Sequence, residues 1–420
     1  MTPTRLGDLR ISGERLWASL CETAQFGAIP GTDRGMCRIT LSDEDIAGRR
    51  WFVAACEAVG MSVTTDQIGT IYARRPGSDA DLAPIAIGSH LDTQPTGGRF
   101  DGILGVLAGL ELVRTLHDAG ITTRHPIEVI NWTNEEGARF APAMVASGVF
   151  AGEFTLDHAL AQTDRDGVTL GEALARSDFA GDEVPGGHRL AAHFELHIEQ
   201  GPVLEAEGLE IGVVSGVQGI RWYDVTVRGQ TCHAGTTPMH LRRDALHAAA
   251  RLALAVDAIG RSDPGASLST IGLFQAYPGS RNTAPGEVRL TVDLRHPQVP
   301  GLDTMEAALR RAIEALQAEL RVAITLTPVW SSPPVEFDPD VLSAIAAATR
   351  RLGYSHRTML SGAGHDSVYT ARVAPTGMIF VPCEQGISHN IAENITPAQA
   401  EQGANVLLQA VLDYDRGANA

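Results

Sequence analysis

Four stretches of the sequence place histidines and carboxylates directly after apolar runs. They read "GSHLDTQPTGGRFDG", "NWTNEEGARF", "ELHIEQG" and "GISHNIAENIT", and their candidate residues are His90, Asp92, Asp101, Glu135, Glu136, His197 and His389. Imidazole nitrogen suits zinc and related divalent ions, and an aspartate can bridge two ions about 3.5–4 Å apart. Three histidines with several carboxylates are therefore typical of a two-metal hydrolytic site.

The individual residues have distinct interpretations within such a site. Asp101 is the candidate bridge, and Asp92, two residues after His90, can orient that imidazole through a hydrogen bond. Glu135 and Glu136 are adjacent like charges after an apolar strand, which is unfavourable unless one binds a metal and the other moves a proton. The residues alone leave open which glutamate has which role. A single histidine is more often structural, and we interpret these residues that way: His117, His158, His188, His356 and His365.

The apolar runs predict how these residues are brought together. Residues 84–91 and 126–132 are typical of buried parallel strands, and the apolar stripe of residues 101–120 predicts a helix that ends at Gly120. A strand, helix and strand in succession indicate an α/β sheet. Because such sheets bind ligands at the carboxyl ends of their strands, we expect the candidate residues to meet at one sheet edge.

The pattern changes between residues 217 and 330. Strand and helix patterns alternate there in the order β-α-β-β-α-β, which is typical of a ferredoxin-like α+β domain. Helical patterns return after it, around the strand-like run at 376–383. The sequence therefore predicts a discontinuous catalytic α/β domain, residues 1–216 and 331–420, with a smaller domain of residues 217–330 inserted into it.

The composition excludes several classes of protein. The net charge is −17 and the basic residues are all arginine, which argues against a nucleic-acid partner and excludes the lysine of a Schiff base, a P-loop or a Ser-Lys dyad. The five cysteines form no CxxC pair, so neither a disulfide framework nor a thiolate zinc site is indicated. Because no apolar run reaches the ~18 residues of a membrane span, we expect no membrane partner and a cytoplasmic location.

The four motifs, together with "CHAGTTPM", "RNTAPGEV" and "DLRHP", resemble those of the amidase and carbamoylase branch of the M20 dimetal peptidase family. This branch includes N-carbamoyl-L-amino-acid hydrolases, β-ureidopropionases and allantoate amidohydrolases. The resemblance implies a zinc-peptidase-like α/β catalytic domain with a mixed sheet. It also implies that the inserted ferredoxin-like α+β domain serves as a lid and dimerisation domain.

The resemblance further implies roles for the candidate residues. It implies two groups of metal ligands, which are His90, Asp101 and His197 for one ion and Asp101, Glu136 and His389 for the other. Two divalent ions per subunit are expected, with zinc as the first choice and manganese, cobalt or nickel as alternatives. Glu135 becomes the general base.

Four further residues are implied to contact substrate: Gln200, His233, Asn282 and Arg295. In the similar proteins the last three come from the partner subunit of a homodimer, and His233 also stabilises the reaction's oxyanion. Arg295 follows the alternating apolar residues of a strand, so it lies on the polar face and can bind a carboxylate. The alternatives are a surface ion pair with Asp293 for Arg295, a loop histidine for His233 and a turn residue for Asn282.

These observations predict a metal-dependent amidohydrolase that cleaves the carbamoyl (ureido) C–N bond of an N-carbamoyl amino acid. The products would be the amino acid, ammonia and carbon dioxide, and the substrate would be an N-carbamoyl-L-amino acid or N-carbamoyl-β-alanine. The alternatives are an allantoate or ureidoglycolate amidohydrolase or a dipeptidase. A metal-binding scaffold with an inactive site is the alternative outside the enzymes, and the presence of Glu135 argues against it.

Overall fold

The computed structural model describes residues 6–417, in two compact units. The first unit comprises Met1–Gly216 with Glu336–Ala420, and the second comprises Val217–Val335. The ends of the predicted catalytic domain, residues 1–5 and 418–420, lie outside the described residues. The domain boundary was predicted at residues 330/331, where serine and proline residues suggest a loop. The strand instead continues to Ser332, so the predicted boundary falls inside it.

The described residues form sixteen strands. They are β1 (Ser62–Thr65), β2 (Ile71–Arg75), β3 (Ile85–His90), β4 (Ile127–Trp132), β5 (Ala192–Ile198), β6 (Ile211–Val217), β7 (Gly219–Arg228), β8 (Cys232–His233), β9 (Leu268–Thr270), β10 (Phe274–Tyr277), β11 (Thr283–Ala284), β12 (Glu287–His296), β13 (Ala323–Ser332), β14 (Val335–Glu336), β15 (His356–Ser361) and β16 (Thr376–Val381).

Twelve α-helices and three short 3-10 helices complete the part of the chain that the structure describes. The α-helices are α1 (Gly13–Thr23), α2 (Asp43–Glu57), α3 (Ile103–Asp118), α4 (Val145–Phe150), α5 (Leu156–Leu160), α6 (Leu170–Ala175), α7 (Val203–Glu207), α8 (Ala245–Gly260), α9 (Val299–Leu320), α10 (Pro339–Leu352), α11 (Ser367–Thr370) and α12 (Pro397–Asp415). The 3-10 helices are Leu6–Asp8, Met239–Leu241 and Glu384–Gly386. Among residues 6–417, no helix is both long and apolar enough to cross a membrane.

The first unit is built on a mixed sheet. Its strands lie in the order β1-β2-β4-β3-β5-β16-β6-β14, with β15 beside β6. The four central strands, β4, β3, β5 and β16, are parallel to one another, whereas β2 and β6 run antiparallel to their central neighbours. Every residue of these four central strands is buried, as expected for parallel strands covered on both faces. The carboxyl ends of the four strands therefore lie along one edge.

Helix α3 connects the first two predicted strands. It packs against β3, β4 and β5, and nearly all of its residues are buried, including Leu104, Leu107 and Leu110. Burying each such side chain contributes about 1.5–3 kcal/mol. The helix begins at Ile103 rather than at Asp101, because Gly102 has a left-handed φ of 70°. Asp101 therefore lies in the loop that precedes the helix and is free to project to the sheet edge.

The second unit has the predicted β-α-β-β-α-β order. Its sheet order is β10-β12-β7-β13 with β9 beside β12, and helices α8 and α9 pack against it. The strand predicted within residues 266–277 is divided into β9 and β10, with Gly272 in the connecting segment. The alternating residues of β12 that were predicted to point inward are all buried: Val288, Leu290, Val292 and Leu294. A separate two-stranded ribbon of β8 and β11 was not predicted.

Candidate active site

The predicted ligands of the first unit meet at the carboxyl edge of its central strands. His90 is the last residue of β3, and His197 lies one residue before the end of β5. Glu135 and Glu136 follow β4, and His389 follows β16. The parallel pairing of the strands brings these residues together although they are up to about 300 residues apart in the chain.

Asp101 lies at the centre of the ligands. Its Oδ1 atom is 3.1 Å from Nε2 of His197 and 3.7 Å from Nε2 of His90. Its Oδ2 atom is 3.5 Å from Nε2 of His389, which is itself 3.4 Å from Oε2 of Glu136. The ligand atoms within each of the two groups, His90 with Asp101 and His197, and Asp101 with Glu136 and His389, lie within 4.8 Å of one another. Each oxygen of Asp101 thus faces a different group, which is the arrangement of a bridging ligand.

The charges at this site fit bound cations. Burial raises the pKa of Glu136 well above its usual value, and the nearby carboxylate of Asp101 raises it further. Burial alone would also raise the pKa of Asp101, but the hydrogen bond and positive charge of His197 outweigh it and lower that pKa. Among the described residues, no arginine forms an ion pair with these two carboxylates. Imidazole nitrogens and carboxylates without an arginine partner are the kind of ligand set that zinc and similar ions take.

Glu135 lies beside the first group without belonging to either. Its Oε2 atom is 3.5 Å from Nε2 of His90. The turn that places it depends on Asn134, which adopts a left-handed φ of 60° and donates from Nδ2 to the carbonyl of Phe140 at 2.7 Å. Burial raises the pKa of Glu135 well above its usual value, and the charges of Asp366 and Glu136 add to this effect. A carboxyl group with a raised pKa beside candidate metal ligands is suited to accept and return a proton.

Asp92 has a different role from the one predicted. Its carboxylate is 3.8 Å from Nδ1 of His90, beyond hydrogen-bond distance, and the backbone carbonyl of Asp92 contacts that nitrogen at 2.9 Å instead. The carboxylate accepts a hydrogen bond from the Thr40 hydroxyl at 2.8 Å and from the backbone N–H groups of Glu135 and Glu136 at 3.3 Å each. Asp92 therefore holds the main chain of the two glutamates and orients His90 only through its backbone.

Gln200 lies among the ligands. Its Nε2 atom donates to Oδ2 of Asp101 at 2.9 Å and to the Ser388 hydroxyl at 3.1 Å, and it is 3.4 Å from Nε2 of His389. Its Oε1 atom is buried and has no hydrogen-bond partner among the described residues. A buried acceptor without a partner is uncommon, which makes this atom a candidate contact for a donor group that binds at the site.

Two buried residues behind His197 were not predicted to belong to this region. The ring of His365 packs edge-on against that of His197, with centroids 4.5 Å apart, and its Nε2 pairs with the Ser361 hydroxyl at 2.9 Å. Glu195 accepts hydrogen bonds from the hydroxyl groups of Ser89 at 2.9 Å and Ser367 at 2.6 Å. Glu195 precedes His197 by two residues on β5, so strand alternation alone places both on the same face.

The other predicted substrate residues lie in the second unit. His233 on β8 pairs with Thr283 on β11, and the carbonyl of Asn282 accepts the N–H of Ala234 at 2.9 Å, so His233 and Asn282 are neighbours. Arg295 on β12 donates from Nε and Nη2 to the carboxylate of Asp293, the closest contact being 2.8 Å. The ion pair that the sequence offered as the alternative for Arg295 is therefore present in this structure.

Gly102 offers a test of how His90 is positioned. A Cβ atom at this glycine would overlap the imidazole ring of His90, and the residue has a φ of 70°. We expect Gly102→Ala to displace His90 and to weaken metal binding about 10–100-fold, which is the usual effect of mutating residues that orient a metal ligand. Gly120 is the matched control, because it has a φ of 63° but open space around it.

The control variant Gly120→Ala should lose about 1–2 kcal/mol of stability from the left-handed backbone alone and keep its metal affinity. Metal titration and urea unfolding of both variants measure the two effects separately. Equal metal affinity in both variants would contradict the packing of His90 against Gly102.

Comparison with known proteins identifies the family. The family model described as peptidase family M20/M25/M40 matches residues 86–413. The chain belongs to this family. Because the family is a peptidase family and relatives of this chain include amidohydrolases, this M20 protein is a hydrolase of amide C–N bonds, which confirms the predicted enzyme class. The family is metal-dependent, in agreement with the two ligand groups at the sheet edge.

Individual M20 relatives are similar over nearly the full chain. An N-carbamoyl-L-amino-acid amidohydrolase from Rhizobium meliloti is 48% identical over 404 residues, covering 96% of this chain and 97% of the relative. A ureidoglycolate hydrolase from Oryza sativa is 34% identical, covering 96% and 84%. A crystal structure of a hydantoinase/carbamoylase family amidase from Burkholderia multivorans is 53% identical with a TM-score of 0.93, covering 96% and 98%. These similarities confirm the predicted resemblance and fold class.

Proposed function

We propose that this chain cleaves the carbamoyl C–N bond of N-carbamoyl-L-amino acids, releasing the amino acid, ammonia and carbon dioxide. The proposal rests on the position of Asp101, whose two oxygens each face a separate group of candidate ligands. The carboxyl group of Glu135 lies beside the first of these groups. The relative named for N-carbamoyl-L-amino acids is also more similar to the chain than the relative named for ureidoglycolate. The cytoplasm stays a prediction for its location.

The proposed ligands are the two groups defined above, and the proposed ions are zinc or, as alternatives, manganese, cobalt or nickel. The two groups share Asp101, so we propose two ions per subunit. When bound, such ions supply Lewis acidity and lower the pKa of water towards neutrality. The nitrogen and oxygen donors of the two groups fit all four metals.

The residues of the chain then have separate roles in the reaction. Glu135 takes a proton from the attacking water and delivers it to the departing ureido nitrogen. Water adds to the ureido carbonyl carbon, and the bond from that carbon to the amino-acid nitrogen breaks. The carbamic acid that is left then decomposes to ammonia and carbon dioxide. The buried Oε1 of Gln200 accepts a hydrogen bond from the ureido N–H, which orients the group.

His233 is proposed to stabilise the oxyanion. Its Nδ1 atom accepts hydrogen bonds from the backbone N–H groups of Gly235 at 3.0 Å and Thr236 at 3.2 Å. Because Nδ1 accepts, the hydrogen of the neutral ring lies on Nε2. The exposed Nε2–H is therefore available to donate to the oxygen that gains charge during the reaction.

A substrate panel tests the proposed function. Metal-loaded protein should release ammonia and free amino acid in equal amounts from N-carbamoyl-L-amino acids, and more slowly from N-carbamoyl-β-alanine, allantoate, ureidoglycolate and dipeptides. Identically purified Glu135→Gln protein controls for contaminating activity. Faster turnover of allantoate or ureidoglycolate would identify that compound as the substrate instead. If none of the compounds is hydrolysed, the alternative of a metal-binding scaffold with an inactive site is favoured.

Arg295 is proposed to bind the free carboxylate of the substrate in place of Asp293. A bidentate guanidinium contact is one that the point charge of lysine cannot reproduce. Since hydrogen bonds to charged groups contribute about 1.5–3 kcal/mol, Arg295→Lys should raise KM about 10–100-fold. The rise should be smaller for N-carbamoyl amino-acid amides, which lack the carboxylate.

Arg289 provides the matched control for this variant. It lies on the same strand and is paired with Glu287 at 2.8 Å, much as Arg295 is paired with Asp293. Arg289→Lys should leave KM unchanged for both substrates. A KM that rises equally for acids and amides in Arg295→Lys would show that Arg295 does not bind the carboxylate.

We also propose a homodimer in which His233, Asn282 and Arg295 serve the partner's site. Inactive Arg295→Ala and inactive Glu135→Gln proteins should then regain activity after they exchange subunits. About a quarter of wild-type activity is expected, because half of randomly mixed dimers are hybrids with one intact site. No recovery after exchange, verified with differently tagged chains, would contradict a shared site.

A further inference from the structure

Glu393 is a buried carboxylate that the proposed reaction does not use. It follows β16 in the same loop as His389, four residues further on, and its exposed fraction is 0%. Its Oε1 atom accepts hydrogen bonds from the backbone N–H groups of Phe100 and Asp101, both at 3.1 Å. The carboxylate therefore joins the loop before α3 to the loop after β16, and each of these loops supplies a proposed metal ligand.

A second connection runs from Glu393 to the bridging carboxylate itself. Oε2 of Glu393 is 3.1 Å from the hydroxyl oxygen of Ser388, which is also 3.1 Å from Oδ2 of Asp101. The same hydroxyl receives a hydrogen bond from Gln200 at 3.1 Å. Glu393 thus holds the main chain of Asp101 directly. The Ser388 hydroxyl lies between Oε2 of Glu393 and Oδ2 of Asp101, and its single hydrogen is donated to one of these two oxygens at a time.

The surroundings of Glu393 indicate that its carboxyl group is needed for its hydrogen bonds and not only for packing. Burying a carboxylate is unfavourable unless it is fully hydrogen-bonded or paired, and among the described residues no arginine or histidine forms an ion pair with it. Gly98 leaves room for it, because a Cβ atom there would overlap the Glu393 side chain. An apolar residue at position 393 would fit the burial but would leave two N–H groups of the ligand loop unpaired.

We propose that Glu393 is a positioning residue that holds Asp101 with one oxygen towards each ligand group, and that it thereby sets the metal affinity of both groups. This inference rests on the proposed two-metal site. Among the described residues, Glu393 forms no hydrogen bond or ion pair with a ligand atom of either group, so it acts through the main chain of Asp101 and through Ser388.

The test measures cobalt(II) binding as well as activity. Glu393→Ala removes every acceptor, and we expect it to weaken cobalt binding about 10–100-fold and to alter the visible absorption of the bound ion. Glu393→Gln keeps one oxygen that can accept from the two N–H groups, so it should restore most of the affinity. Ser388→Ala removes only the connection to Oδ2 and should give a smaller loss, which keeps the test available if Glu393→Ala does not fold.

Asp415 is the matched control. Its carboxylate is buried and accepts from two consecutive backbone N–H groups, those of Arg124 at 2.9 Å and His125 at 2.8 Å, before the amino end of β4. Asp415→Ala should lower stability without changing cobalt affinity or the spectrum.

The outcomes separate this inference from the proposed function. Unchanged cobalt affinity and spectrum in Glu393→Ala and Ser388→Ala, with normal binding by the wild type, would overturn the inference alone. A wild-type protein that turns over substrate without any bound metal would overturn both.

Discussion

Glu135→Gln is expected to lower kcat for ammonia release about 10²–10⁴-fold while metal binding is preserved. The substitution keeps the shape of the side chain but removes the group that accepts the proton of the attacking water. Glu135 lies 3.5 Å from His90 and belongs to neither ligand group, so the metal content should not change. Steady-state kinetics and elemental analysis of the same preparation measure both quantities.

The comparison with Glu136→Gln determines whether the two glutamates have been assigned correctly. Glu136 belongs to the group with Asp101 and His389, so its variant should lose metal from that group. If Glu135→Gln instead loses metal and Glu136→Gln retains it, the two roles must be exchanged. Near-normal turnover by Glu135→Gln would remove Glu135 from the mechanism.

Asp101→Asn is expected to abolish turnover and to weaken metal binding at both groups. The amide has the size of the carboxylate but not its charge, and both groups use Asp101. A loss of about 10³-fold or more in kcat is expected, because a catalytic metal contributes several kcal/mol of transition-state stabilisation. Metal titration and ammonia release measure the two losses.

The fold should survive this substitution, because Asp101 lies at the sheet edge and not in the apolar core. Circular dichroism and the midpoint of urea unfolding check that expectation. Asp101→Asn protein that keeps the metal content of one complete group would show that Asp101 is an ordinary ligand of the other group and not a bridge.

The sequence allowed the meeting of the candidate ligands at one sheet edge to be predicted, because that edge depends on regular structure. His90 ends one buried parallel strand and His197 lies one residue before the end of another, and any parallel sheet places such ends along one edge. The insertion was predictable for a similar reason, since the order of strands and helices in the second unit is a local pattern. The details of loops were not predictable, and the predicted domain boundary at residues 330/331 falls inside β13, which continues through the serine residues to Ser332.

The residues that position the candidate ligands through hydrogen bonds could not be predicted, because these hydrogen bonds join loops that are distant in sequence. Glu393 binds the N–H of Asp101, 292 residues away in the chain, and no periodicity in the sequence relates the two. Asp92 is only two residues after His90 in sequence, yet the turn after β4 brings the N–H groups of Glu135 and Glu136 to its carboxylate. The pairing of Arg295 with Asp293 was recognisable as an alternative because the two residues share one face of a strand.

The most direct test is to titrate chelated, metal-free protein with zinc, manganese, cobalt or nickel and to measure bound metal and ammonia release from an N-carbamoyl-L-amino acid together. We expect a folded but inactive metal-free protein, whose activity returns as ions bind, up to two per chain. Metal-free protein that hydrolyses the substrate at the full rate, or fully loaded protein that releases no ammonia from any N-carbamoyl-L-amino acid, would contradict this expectation.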